Sequence, residues 1–521
     1  MQFTRRAGLA AIFALTITLT AAVLAQGTLI FAVEGSPPTF DPLGAGADSR
    51  INTPSINMYN ALYQFIPGTS EVTPELATGF ELSDDGLTYT FTIREGVLFH
   101  DGTELTAADV KYTADRMLAL QIGTARSFGP LESVDLIDER TVAFNLSAPF
   151  PGMLLALPRL YILNAEVVQA NERDGDWGQT WLQNNEAGSG PYQLVSFQPE
   201  QQFTMERFDD YFLGFHEGAA DTVILRVIKE ESTRRLAFES GDVDIARIGS
   251  TDSFAALENT PGITRYVNAA LIQLYIAMNV NNMHLANPMV REAMTLVYDY
   301  EGHVEFVRRG FGSVARGPLP PAIACFDDSI PHSQTDIERA KALMAEAGYP
   351  DGGFELSMAY QGTSPEETAA FQILQAGAAQ LGITVRALPV EWPAKVELFS
   401  SADTAPDLGT IWEYPNYPDP DVYLFEKMHS SRTGEGGLNF SFHATPEADA
   451  LLEAGQVELD PAARCEIYQE LQQIFLTENP YLNISVGTEL AAAHDHVENF
   501  VYTASHAFTF NAYPISIANK P

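Results

Sequence analysis

The chain has 521 residues, 46% of them hydrophobic and 19% charged, which is too long for one ordinary core and suggests about three domains. Its 68 acidic against 29 basic residues give a formal charge of −39, which excludes a nucleic acid as a natural partner and fits a solvated surface for an acidic or salty setting. Two cysteines, Cys325 and Cys465, form no CxxC motif and cannot make a zinc site by themselves.

In chain order, Arg5 and Arg6 precede an apolar run from Ala7 to Leu24, and Val23-Leu24-Ala25 places small residues where signal peptidase reads. Thr16, Thr18 and Thr20 interrupt the run, so it reads as a leader cleaved after Ala25 rather than as a spanning helix, which needs about 20 apolar residues. Loss of both arginines would carry the charge from −39 to −41. Thr4-Arg5-Arg6 leaves the Sec and twin-arginine routes both open, and no Cys stands at the cut to carry a lipid anchor. In an oxidising compartment Cys325 and Cys465 are able to pair, but spacing alone leaves the bond open.

Leu29 to Val33 reads as a first strand. The stretch from Asp84 to Met117, DDGLTYTFTIREGVLFHDGTELTAADVKYTADRM, then gives strand, turn and helix. Leu87, Tyr89, Phe91 and Ile93 alternate with polar residues, Thr106 and Asp109 form a capping pair, and Val110, Ala114, Met117 and Leu118 make one apolar stripe. With the alternating Val142, Phe144 and Leu146, the block between Met58 and Gly188 reads as an inserted α+β domain. Asp221 to Ile228 predicts a strand and Thr233 to Glu239 a helix. Further on, Pro288 opens a helix carrying Val290, Ala293, Met294 and Val297, and Thr335 with Glu338 predicts a capping box for a helix ending at Gly348. A strand from Phe354 to Tyr360, a helix from Pro365 to Leu381 and a strand from Ile383 to Leu388 make a βαβ unit of a parallel sheet. Asp460 with Pro461 opens one more helix. Residues 269 to 486 read as a ligand-clasping lobe.

Enzyme motifs are absent: no HExxH, GxSxG or GxxxxGK[ST] occurs, and no GxGxxG follows a strand. Gly188-Ser189-Gly190 continues into Pro191-Tyr192 and reads as a crossover turn, not a nucleophile. His494, Asp495, His496 and Glu498 read as a solvated edge rather than a metal site. Trp412, Tyr414, Tyr417 and Tyr423 are interleaved with Pro415, Pro418 and Pro420, which argues for a rigid loop of the kind that contacts ligand. No cofactor is expected.

The DDGLTYTF…GVLFHDG run followed by Thr106-Ala107, Asp109-Val110, Tyr112 and Arg116 resembles the peptide/nickel-type family 5 of extracellular solute-binding proteins, which deliver ligands to ABC importers. Pro38-Thr39-Phe40-Asp41-Pro42, Gly188-Ser189-Gly190-Pro191-Tyr192, Glu239-Ser240-Gly241-Asp242-Val243-Asp244, Val290-Arg291-Glu292-Ala293, Gly317-Pro318-Leu319-Pro320 and Tyr417-Pro418-Asp419-Pro420 extend the likeness over almost the whole chain. The resemblance implies an α/β fold of the periplasmic-binding-protein type (class C), with two α/β lobes, a hinge and an additional inserted α+β domain. It divides the chain into a leader (1–25), a discontinuous first lobe (26–57, 190–268 and 487–521), the inserted domain (58–189) and the other lobe (269–486). It also implies a non-catalytic, monomeric periplasmic protein that captures a peptide or peptide-like solute and serves the transmembrane subunits of an ABC permease. An oligosaccharide, opine or metal chelate remains an alternative within the family, and a secreted hydrolase is the alternative outside it.

Ligand contacts are implied for Phe40, Trp412, Glu413, Tyr414, Asn416, Tyr417 and Asp419. In peptide-binding relatives an aspartate of this loop captures the ligand's free amine, a charge-assisted pair. Counted back from Asp419-Pro420 that position is Asn416, and counted forward from Trp412 it is Pro415; neither is charged. Either Glu413, Asp419 or Asp421 substitutes, or the ligand is not a simple peptide with a free amino end. The leader predicts a protein recovered from the periplasmic fraction with Gln26 as its first residue, checked by N-terminal sequencing; full-length protein in the cytosol is the contrary result.

Overall fold

The computed structural model describes residues 27–44, 48–504 and 509–520; the expected leader lies outside them. The first alternating run forms β1 (Thr28–Val33), whose Leu29 and Phe31 are buried. Next come β2 (Ala77–Leu82), β3 (Thr88–Ile93), helix α1 (Ala107–Leu120), β4 (Leu131–Asp138) and β5 (Thr141–Leu146). These strands make an antiparallel sheet in the order β2-β3-β5-β4. Tyr89, Phe91 and Ile93 share one face of β3 and pack with Val110, Ala114 and Met117 of α1, so strand period and helix period meet in one core. The cap forms as read: the Thr106 hydroxyl accepts from the Ala108 N–H, and Asp109 Oδ2 accepts from the Thr106 N–H at 2.9 Å.

A second, larger sheet holds β6 (Tyr192–Gln198), β7 (Gln202–Arg207), β8 (Thr222–Val227), β9 (Ile245–Arg247), β10 (Ile263–Met278), β11 (Glu355–Tyr360), β12 (Thr384–Pro389), β13 (Leu408–Glu413) and β14 (Tyr481–His494). With β1 its order is β12-β11-β13-β10-β14-β9-β1-β8-β7-β6, and the short strand Ser313–Val314 pairs with β14 off this path. β11 and β12 run parallel, joined by α2 (Pro365–Ala379), which is the predicted βαβ unit. β10 and β14 are the longest pair, antiparallel from Ile263 opposite His494 to Ala277 opposite Tyr481. Their register shifts between Ala269 and Gln273, where Ala270, Leu271 and Ile272 stand opposite Gly487 alone, and again between Leu274 and Tyr275, where Ile484 is the extra residue. An added Cβ at Gly487 would lie 2.7 Å from Ile272 Cγ1, so glycine is what lets the bulged chain approach.

One sequence expectation is corrected. Helix Ile337–Glu346 is capped by Asp336, whose Oδ1 accepts from the Arg339 N–H, while the Thr335 hydroxyl donates to the Tyr298 carbonyl. Asp and Thr are both good caps, and the adjacent residue took the position. Gly188-Ser189-Gly190 passes against the end of helix Ser49–Met58, where a Cβ on Gly188 would meet the Met58 carbonyl oxygen at 1.8 Å. Ser189 itself is fully buried and donates to Asn60 Oδ1 at 3.1 Å, a packing role. His496 Nε2 lies 2.7 Å from Asp244 Oδ1, His494 Nε2 lies 2.8 Å from the Phe238 carbonyl, and no cluster of three potential metal ligands occurs among the described residues.

Two cross-links tie distant segments. Arg116 of α1 donates to both oxygens of Asp41, at 2.9 and 2.6 Å, with side chains 1% and 6% exposed, so this buried pair ties the inserted block to the segment after β1. Cys325 is joined to Cys465, which lies on α4 (Pro461–Glu478), by a disulfide spanning 140 positions. In the chain-entropy account a loop of that size is worth about 4 to 5 kcal/mol. We expect no free thiols in the unfolded, unreduced protein, and a lower urea midpoint for the double Cys325→Ser, Cys465→Ser variant; two titratable thiols would refute the bond.

Candidate functional site

Strand β13 delivers the aromatic loop. Its last residue, Glu413, is paired with Gln273 of β10, so residues 414 to 419 leave the sheet beside the place where the β10–β14 ladder resumes. α3 (Pro420–Met428) then receives the chain, with Asp419 as its N-cap accepting from the Asp421 N–H at 2.9 Å.

The candidate side chains separate. Trp412 is half-buried under the Arg308 guanidinium, 5.8 Å from the ring centre. Tyr414 is 47% exposed and lies near Trp412, with ring centres 6.4 Å apart. Asn416 is half-buried and its carbonyl accepts from Arg159 Nε at 3.1 Å. Tyr417 turns away into the core of the inserted block, edge-on to Phe150 at 6.3 Å and close to Gly152. Tyr423, grouped with them in the sequence, is fully buried on α3 and donates to the Leu271 carbonyl. Phe40 is 1% exposed between Phe197 and Phe203, a core ring with no surface left for a solute.

The loop carboxyls expected to meet a ligand face inward. Glu413 is ion-paired to Lys427, which also donates to the Pro318 carbonyl at 2.9 Å and lies over the Tyr275 ring. Burial pushes the Glu413 carboxyl up to about 7, opposed by the Lys427 charge, and pushes the Lys427 ammonium down, opposed by Glu413. Asp419 accepts from Arg464 through both oxygens at 2.8 Å. Asp421 accepts from Tyr468 and Gln456, and burial, followed by the charge of Asp419, pushes it up to about 7. The first two carboxyls thus already have cations, and the third is held by the Tyr468 and Gln456 donors with its carboxyl pushed up by burial.

Sequence reading did not find the cations around this loop. Arg247 of β9 bonds Glu34 at 2.9 Å and pairs with Glu489 of β14; Tyr414 lies within its electrostatic reach. Burial raises Glu489, against the pull of Arg247. Arg308 donates to both oxygens of Glu366, at 2.7 and 2.9 Å. Arg159, 4% exposed, also donates to Asn52 Oδ1 at 3.1 Å. A lone arginine in the apolar run Leu154 to Leu160 was the available signal, since arginine is almost never fully buried without partners. Between residues 251–254 and 307–311, the Thr251 hydroxyl donates to the Val307 carbonyl at 3.2 Å, Arg309 pairs with Asp252, and Phe254 meets Phe311 at 5.1 Å. The loop thus presents one exposed ring, Tyr414, a half-buried Trp412 and the Asn416 amide, beside arginines that are themselves already bonded.

The family model for bacterial extracellular solute-binding proteins, family 5, matches residues 71–435. Di/tripeptide-binding protein 2 of Pseudomonas aeruginosa is 29% identical over 95% of this chain and 97% of its own length. Heme-binding protein A of Haemophilus influenzae is 26% identical over 95% of this chain and 93% of its own. The solved structure of HbpA2 from Haemophilus parasuis superposes with a TM-score of 0.83, at 26% identity, covering 94% of this chain and 99% of that one.

Because Asp419 joins a cap to a buried ion pair, Asp419→Ala is expected to lower the unfolding free energy by about 3 to 5 kcal/mol in urea titrations, and Asp419→Asn by less, since it keeps a cap oxygen. Unchanged folding with lost ligand binding would instead make Asp419 a ligand contact.

Proposed function

We propose, from the premise that the chain belongs to family 5 of the bacterial extracellular solute-binding proteins, that it captures a peptide or peptide-like solute between its lobes and delivers it to an ABC permease. The observation that carries this reading is the position of residues 412 to 416. The loop starts beside the first of two register shifts in the β10–β14 ladder, and it carries the exposed Tyr414 and the half-buried Trp412 and Asn416 close to Arg308 and Arg159. Trp412 and Tyr414 supply flat apolar area, and Asn416 supplies both a donor and an acceptor. The family's members are solute-binding transport proteins without catalysis, and the same is proposed for this chain.

Residues 26–57, 190–268 and 487–521 on one side, and 269–486 on the other, are the lobes of this proposal, with 58–189 as the inserted domain. The crossings in β10 and β14 then form the hinge, where bending needs only the bulge at 270–272 to open. Secretion to the periplasm and action as a monomer belong to the same reading; no helix among the described residues is long and apolar enough to cross a membrane.

A thermal-shift panel of di- and oligopeptides, oligosaccharides, opines, nickel chelates and heme tests the cargo class. A peptide-like solute should raise the melting temperature, since a ligand of the folded state stabilises it by mass action. The same solute should shrink the radius of gyration in X-ray scattering and be recovered unchanged. A response to another class alone refutes the peptide assignment, and a consumed ligand refutes the transport role.

A further inference from the structure

On the footing of the two-lobe reading above, helix Thr251–Ala256 falls in one lobe and residues 307–311 in the other. The helix starts at Ser250, whose hydroxyl accepts from the Ser253 N–H at 3.2 Å. The facing segment is tied to its own lobe by Arg308, which donates to both oxygens of Glu366 on α2 and to the Phe311 carbonyl at 2.7 Å. Three contacts of different kinds then cross from lobe to lobe: the Thr251–Val307 hydrogen bond, the Asp252–Arg309 ion pair, and the edge-on meeting of the Phe254 and Phe311 rings. Phe254 is fully buried in a cluster with Phe238, Val243, Ile248 and Leu490. Among the described residues, Phe311 is the one member of that cluster that comes from the other lobe.

Arg308 stands between the bonded Val307 and the ion-paired Arg309, and its guanidinium lies over the Trp412 ring, so these contacts sit on the same side of the β10–β14 ladder as the aromatic loop. A rotation that widens the gap between the lobes on that side strains all three at once. Parting the rings hydrates apolar surface on both, which opposes opening. The ion pair, with side chains 51% and 71% exposed, is weak in water and is screened by salt. We propose that helix Thr251–Ala256 and residues 307–311 form a clasp that is made when the lobes close and broken when they part, with Phe311 as its apolar plug. The clasp sets how much closed protein exists before any solute arrives. A closed state favoured by contacts away from the solute leaves less for the solute itself to supply, so the clasp raises affinity without touching the cargo.

Single-molecule energy transfer on the mature protein, with dyes on Gln201→Cys and Glu470→Cys, exposed positions on the two lobes, reads the open and closed populations without any solute. Phe311→Ala should lower the closed-to-open ratio about tenfold, the scale of one lost aromatic pair with its buried area. Asp252→Ala combined with Arg309→Ala should lower it about twofold, and about 1 M sodium chloride should do the same to the wild type while leaving the double variant unmoved. Circular dichroism checks that each variant is folded. Two populations whose ratio is the same in all three proteins at low and high salt overturn the clasp and leave the two-lobe reading standing. One and the same distance in every protein overturns the clasp as well. If that distance also persists with every solute that raises the melting temperature in the panel above, the two-lobe reading falls with it.

Discussion

The ladder between β10 and β14 is the constraint on which the rest of the architecture depends. It carries the large sheet from the half built on β1 to the half built on β11, β12 and β13. Backbone pairing fixes direction and register together, so the two halves share an orientation except where pairing lapses. It lapses where three residues oppose Gly487, and β13 joins β10 at Gln273, the first residue beyond that lapse. The aromatic loop therefore begins where the sheet is most able to bend.

Burial decides which charges take part. The chain is strongly acidic, yet two of its six lysines, Lys395 and Lys427, are fully buried against Glu367 and Glu413. Each pair buries one positive and one negative charge, so the surface keeps the acidity that the composition gives it. Around the loop the carboxyls are turned inward, each held by a cation or by hydrogen-bond donors, while Arg159 bonds the Asn416 carbonyl. Desolvation penalises an unpartnered charge far more than it penalises a neutral amide. That difference is why the uncharged Asn416 can stand unpartnered where an aspartate would call for a cation.

Local chemistry was legible in the sequence wherever one segment determines its own form. Period-two alternation located β3, the Thr106–Asp109 pair located the start of α1, and the strand-helix-strand order located β11, α2 and β12. Prolines marked the segment after β13 as a loop, which the structure places at residues 414 to 419 before α3 opens at Pro420. Side-chain partners were not legible, because they come from far along the chain: Lys427 lies 14 residues past Glu413, and Arg464 lies 45 past Asp419. Neither spacing has a local signature. Phe40 shows the same limit in reverse, since a motif placed it near a site while its ring went to fill the space between Phe197 and Phe203.

Tyr417 has a calorimetric consequence. Its ring is part of the core of the inserted block, although its backbone belongs to the loop beside the gap. Any opening that draws residue 417 away from Phe150 and Gly152 hydrates that ring and the apolar wall it leaves. Hydrating apolar surface raises heat capacity, so closure onto a solute carries a negative heat-capacity change that includes a contribution from a contact the solute never touches. The heat of binding should then steepen with temperature by more than the solute's own apolar area accounts for.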